Sequence, residues 1–123
     1  MRVGFATTNL ITVDDHFGYA KTVAVYEVNE NGYEFIELRN FTEIPNDEYE
    51  KINNKIEALK DCSIIYVVAI GGTAAAKVVK AKIHPVKVKE NTAIKNILDE
   101  MVEKLKTNPP PWLKKALIQE KQI

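Results

Sequence analysis

The sequence predicts an α/β fold: a five-stranded mixed sheet layered between helices. Two observations carry this. A β-hairpin pattern follows the first strand, and further along a continuous apolar strand runs into a double glycine, a helix and another strand. At 123 residues and 46% hydrophobic, the chain is long enough to bury one core.

Each element follows from local pattern. "RVGFAT", residues 2–7, is a short apolar stretch suited to a strand covered on both faces. "TVAVYEVNENGYEFIELRNFTE" sets two strand patterns on either side of Asn31-Gly32, whose ready access to positive φ predicts a tight antiparallel hairpin between the second and third strands. Pro45 and Asn46 then open a helix with Tyr49, Ile52, Ile56 and Leu59 on one stripe. Ser63 to Ile70 is β-branched and nearly uncharged, as a central strand should be, and stops at Gly71-Gly72. Thr73 is expected to cap the next helix, and "PVKVK" to form a strand parallel to the central one through a right-handed crossover. A last helix, about Thr92 to Lys106, carries Ile94, Ile97, Leu98, Met101 and Leu105 on one stripe and is halted by "NPPPW". The order is βββαβαβα, giving one domain over 1–106 and a proline-rich tail with a short helix over 107–123. That tail either docks a partner or folds back on the core through Trp112.

Composition excludes several function classes. Lysine plus arginine equals aspartate plus glutamate, 17 each, so no global field draws the protein to nucleic acid or an acidic membrane. The longest apolar run, Ile64 to Ile70, is far short of the roughly 18 residues of a membrane span. With one cysteine and no signal-like start, the chain is expected to be soluble and cytoplasmic. No phosphate-binding loop or complete dinucleotide fingerprint is present. A ribonuclease H-like sheet has this strand order, but two-metal phosphoryl chemistry needs converging carboxylates, and the first strand has none. A Cys-His hydrolase would need Cys62 beside a histidine, and the two are expected at opposite strand ends. The chain is therefore not expected to be an enzyme.

Ligands of such sheets gather outside the carboxyl ends of the parallel strands. The loop "VDDHFGYAK" after the first strand and Gly71-Gly72 after the central strand should open onto that edge together. His16 in this loop is compatible with a metal ligand and with a surface histidine held by a neighbouring carboxylate. Gly71, Gly72 and Thr73 expose backbone N–H groups at a helix start, which favours anions, although glycines also allow close helix packing. Lys77 to Lys89 contains five lysines and His84 without an acidic residue. Cys62 reads more simply as a small buried hydrophobe.

"VDDHFGYAK", "IEALKDCSIIYVVAIGGTAAAKVVKAKIHPVKVKE" and "NPPPWLKKAL" together resemble the NifX/NafY family of nitrogenase accessory proteins, and the cysteine context, "AKIHP" and the Pro-Pro-Pro-Trp tail resemble its NifX branch. The family shares a domain with the C-terminal part of NifB. The resemblance implies a ribonuclease H-like three-layer α/β/α fold and a non-catalytic role. It implies binding of the iron-molybdenum cofactor or its iron-sulfur precursor, the NifB cofactor, in transit between NifB and the NifEN scaffold. It also implies that His16 is the leading cluster ligand.

The residues supply a mechanism for that role. A chain building its own four-iron cluster offers about four cysteines; this one offers one. It is suited to hold a finished cluster through few bonds: His16 on an exposed iron, Gly71, Gly72 and Thr73 as hydrogen-bond donors, Lys77 or Lys21 balancing negative charge, and Asp15 orienting the imidazole. Cys62 and His84 are expected a full strand away, beyond reach of one compact cluster. A monomer or weak dimer is expected. The alternatives are an anion-binding regulatory or storage module of the same fold and a small enzyme using His16 as general base.

Overall fold

The computed structural model describes residues 1–41 and 48–118. Its strands are β1 (Arg2–Ala6), β2 (Thr12–Val13), β3 (Thr22–Asn29), β4 (Gly32–Asn40), β5 (Cys62–Val67), β6 (His84–Lys87) and β7 (Thr92–Ala93); its helices are α1 (Glu48–Ala58), α2 (Gly72–Lys80), α3 (Ile94–Lys106) and α4 (Pro111–Ile118). Five strands form one sheet in the order β4-β3-β1-β5-β6. β3 runs antiparallel to β1 and to β4, whereas β5 runs parallel to β1 and to β6. This is the mixed sheet with a hairpin that the sequence predicts.

Side-chain alternation along these strands builds two cores. Val3 and Phe5 of β1 with Ile64 and Tyr66 of β5 face α3 and α4, meeting Ile94, Leu98, Met101 and Leu113. Val23 and Val25 of β3 with Ile65 and Val67 of β5 face α1 and α2, meeting Ile56, Leu59, Ala74 and Val78. All six residues of β5 are buried, as a central strand covered on both faces requires. Gly4 in β1 lies in a tight place, since a Cβ there would stand 2.9 Å from Ile65 Cδ1 and 3.0 Å from Val23 Cγ1 and those side chains would have to shift. Pro85 lacks an N–H to give a sheet and lies in β6, which is an edge strand.

Several details differ from the sequence expectation. The hairpin turns over Glu30 and Asn31, because Asn29 pairs with Gly32, and the positive φ falls on Gly32 (149°) while Asn31 has none. The N–H of Asn31 is instead held by the Asn29 side chain at 2.8 Å. α3 begins at Ile94 and not at Thr92, because Thr92 and Ala93 pair with Val13 and Thr12 as a small second sheet. Thr73 does not cap α2; the cap position is Gly71, in extended conformation with no side-chain cap bond. The expected helix start at Pro45 and Asn46 lies outside the described residues, as does the side chain of Tyr49.

Beyond Thr107 the chain packs on the sheet. Leu113 and Ala116 of α4 are buried in the same core as Val3 and Phe5, with Trp112 and Leu117 against it. The Trp112 ring lies on that of His84, centroids 5.0 Å apart. Of the two roles open to the tail, folding back is the one seen up to Ile118. No helix among the described residues is long and apolar enough to cross a membrane.

Candidate functional site

The chain leaves β1 at Ala6, loops out, and returns at Asp14, whose N–H donates to the Ala6 carbonyl. From there it takes up the pairing that β1 has abandoned. Val68 N–H donates to Asp15 O and Phe17 N–H to Ala69 O, each at 2.9 Å, so His16 stands opposite Ala69 in a parallel bridge. Phe17 is buried in the core and anchors the loop. Immediately after it the backbone turns, with the N–H groups of Tyr19 and Ala20 donating to the His16 carbonyl at 3.2 and 2.9 Å.

Opposite this loop, β5 ends and α2 begins. Residues 69–74 and the His16 loop enclose an open pocket of about 470 Å³, lined by His16, Gly18 and Tyr19 on one side, Gly71, Gly72 and Thr73 on the other, and Ile52 of α1. That volume lies within the range of ligand sites. The imidazole of His16 is exposed on this rim, 5.8 Å from the largely exposed ring of Tyr19.

Two features make the pocket receptive to an anion. The first N–H groups of any α-helix lack intrahelical partners and carry the positive end of its dipole. In α2 that end has no acidic residue in its first turn and no side-chain cap. The second feature is the lining by glycine. Gly18, Gly71 and Gly72 all have negative φ, and a Cβ on any of them would meet nothing within 4 Å. Neither backbone conformation nor packing demands glycine there, unlike at Gly4. What their bareness provides is room and close backbone approach for an occupant.

The candidate residues divide by position. His16, Gly71, Gly72 and Thr73 are brought together in the lining. Lys77 and Lys21 are not in it: Lys77 Nζ donates to Asn53 Oδ1 of α1 at 3.1 Å, and Lys21 is exposed beyond the turn. The Asp15 carboxylate accepts from the backbone N–H of His16 at 2.9 Å, so it steadies the backbone of the loop. Cys62 is buried at the start of β5 and His84 starts β6 beside Ile64, both at the amino ends of their strands. Among the described residues no three His, Cys, Asp or Glu side chains gather to hold a metal ion. Among the described residues that line the pocket, His16 is the one histidine, and no Cys, Asp or Glu is among them.

Sequence patterns do not place Tyr19, Ile52 or Lys55 at the site, where the structure puts Tyr19 and Ile52 in the lining and Lys55 beneath the loop. Lys55 is 3% exposed, and its ammonium donates to the carbonyls of Phe17 and Ala20, each at 2.8 Å. A signal was present: with Ile52, Ile56 and Leu59, position 55 completes the three-and-four spacing of the apolar stripe. A lysine on a core-facing stripe needs a partner inside.

A family model described as dinitrogenase iron-molybdenum cofactor matches residues 1–104. The chain is 49% identical over 119 residues to Protein NifX of Herbaspirillum seropedicae, covering 95% of this chain and 82% of that one. It is 30% identical over 87 residues, 68% of its length, to the FeMo cofactor biosynthesis protein NifB of Bradyrhizobium diazoefficiens, of which the match spans 17%. Among solved structures, that of PH0822 superposes with a TM-score of 0.66 at 17% identity, covering 84% of this chain and 91% of that one, a likeness of fold alone.

Proposed function

The chain belongs to the dinitrogenase iron-molybdenum cofactor family, and on that premise we propose that it is a non-catalytic carrier in the biosynthesis of the nitrogenase cofactor. Its cargo is the iron-molybdenum cofactor or the iron-sulfur precursor made by NifB, taken up from NifB and passed to NifEN. The match to part of NifB supports a shared cargo-binding unit.

The observation that carries this reading is the exposed His16, with bare Gly18 beside it, facing bare Gly71 and Gly72 across an open pocket. A cluster complete in its own sulfides needs little from the protein. One imidazole bond to an exposed iron fixes its place, and the N–H groups of the first turn of α2, with the Thr73 hydroxyl, offer hydrogen bonds to its negatively charged surface. Such sparse ligation suits delivery. A cage of thiolates would hold the cluster against transfer, whereas a single exposed nitrogen is open to exchange with a ligand of the receiving protein. Lys77 and Lys21 contribute to the field around the pocket from outside its lining.

Anaerobic titration with isolated iron-molybdenum cofactor tests the proposal. His16→Ala is expected to weaken binding at least about tenfold with folding intact, since the side chain is exposed, while Cys62→Ser leaves affinity unchanged. Equal affinity of His16→Ala and wild type would remove His16 from the site. Iron-independent binding of inorganic phosphate, with no affinity for the cluster, would favour the anion-binding regulatory module instead.

A further inference from the structure

Lys55 occupies a place where an aliphatic side chain would pack well. It lies on the inward stripe of α1 between Ile52, which lines the pocket, and Ile56 and Leu59, which are buried. Burying an ammonium is costly unless its donors are matched. Here they are aimed at the turn that follows His16: Phe17 O and Ala20 O at 2.8 Å, and Gly18 O at a longer 3.4 Å. The charge also lies over the rings of Phe17 and Phe41, 5.5 and 5.3 Å from their centroids.

We infer that Lys55 is the positioning residue of the cargo site, setting the backbone of the His16 loop from beneath without touching the cargo. This rests on the carrier reading above. The turn is held from two sides. The N–H groups of Tyr19 and Ala20 close onto the His16 carbonyl, and Ala69 takes the N–H of Phe17. Those bonds leave the carbonyls of Phe17 and Ala20 directed inward to Lys55, where an apolar residue at 55 would take that buried donor from both. The lysine satisfies them and so ties the turn to α1. The same helix supplies Ile52 to the pocket wall, so ligand loop and wall move as one body. A ligand held before the cargo arrives needs no ordering on binding, which is how preorganisation raises affinity.

The test is a double-mutant cycle between Lys55→Met and His16→Ala, read by anaerobic titration with isolated iron-molybdenum cofactor. Amide exchange of Tyr19 and Ala20 reports loop order in the same proteins. Lys55→Met is expected to weaken binding about tenfold, the usual scale for residues that orient a metal ligand. It should accelerate exchange of both amides and reduce the nitrogen hyperfine coupling of His16 in the paramagnetic loaded protein. In the His16→Ala background it should change affinity less than twofold, because it acts through His16. Full affinity of Lys55→Met, or the same tenfold loss without His16, overturns the inference. Should Lys55→Met fail to fold, Lys55→Gln, which keeps a donor, enters the same cycle. Wild-type affinity in Lys55→Gln with freely exchanging Tyr19 and Ala20 amides would again overturn it. If His16→Ala alone binds like wild type, it is the carrier site that fails, a distinct result.

Discussion

The imidazole of His84 and the indole of Trp112 stack face to face, centroids 5.0 Å apart and planes 13° from parallel. The stack joins edge strand β6 to α4, and burial there, with the Lys115 ammonium as a lesser cause, holds the His84 pKa below its ordinary value. A histidine whose folded pKa is depressed binds fewer protons folded than unfolded. Its contribution is therefore complete above about pH 6.5 and is lost as pH falls through the folded pKa. Thermal melts from pH 8 to 5 should show this decline, and His84→Gln should flatten it. Trp112→Ala should cost about 2 kcal/mol, less than a fully buried tryptophan because Trp112 is only half-buried. An unchanged melt for Trp112→Ala would show that α4 does not support the domain.

A second pH response belongs to Asp61. Its carboxylate accepts from Arg39 Nη2 at 2.7 Å and Arg2 Nη1 at 2.9 Å, tying β4 and β1 to the entry of β5. Chiefly through the Arg39 hydrogen bonds, its pKa falls to about 2, against the opposing effect of burial. A depressed carboxylate stabilises the fold fully above its unfolded value near 4 and loses that contribution as pH drops toward 2. Partial solvent screening limits the effect to about 1–2 kcal/mol. Asp61→Asn should lower the melting temperature at pH 7 and reduce the acid dependence between pH 4 and 2. Cargo affinity should not change, since Asp61 precedes β5 and the pocket follows it.

Elements whose signal is local were legible in the sequence. The hairpin, the buried β5 and the helical stripes of α1 and α3 each declare themselves within a dozen residues by periodicity. What the sequence hid depends on distant partners. The β2–β7 pairing joins Thr12–Val13 to Thr92–Ala93 across some eighty residues through only two pairs, too few for any pattern. Thr73 has the chemistry of a cap, but Gly71 takes the extended conformation two residues earlier, so the threonine enters the first turn. Lys77 is directed to Asn53 by the packing of α1 on α2. Adjacency in sequence suggests Asp15 as a partner of the imidazole, whereas the turn brings its carboxylate to the His16 N–H.

Gly72→Ala separates stability from binding, because the two should move in opposite directions. Gly72 is the first residue of α2, its φ is negative, and a Cβ there meets nothing within 4 Å. Alanine restricts the unfolded chain and favours the helix, so the protein should gain up to about 0.5–1 kcal/mol. The same methyl group occupies pocket space beside the N–H groups of the first turn of α2. Cargo affinity should fall several-fold despite the higher melting temperature. Gly4→Ala is the contrasting control: its Cβ would collide with Ile65 and Val23, so it should destabilise the fold from a position outside the pocket lining. A Gly72→Ala protein both more stable and equally strong in cargo binding would show that the bare helix start is not where the cluster rests.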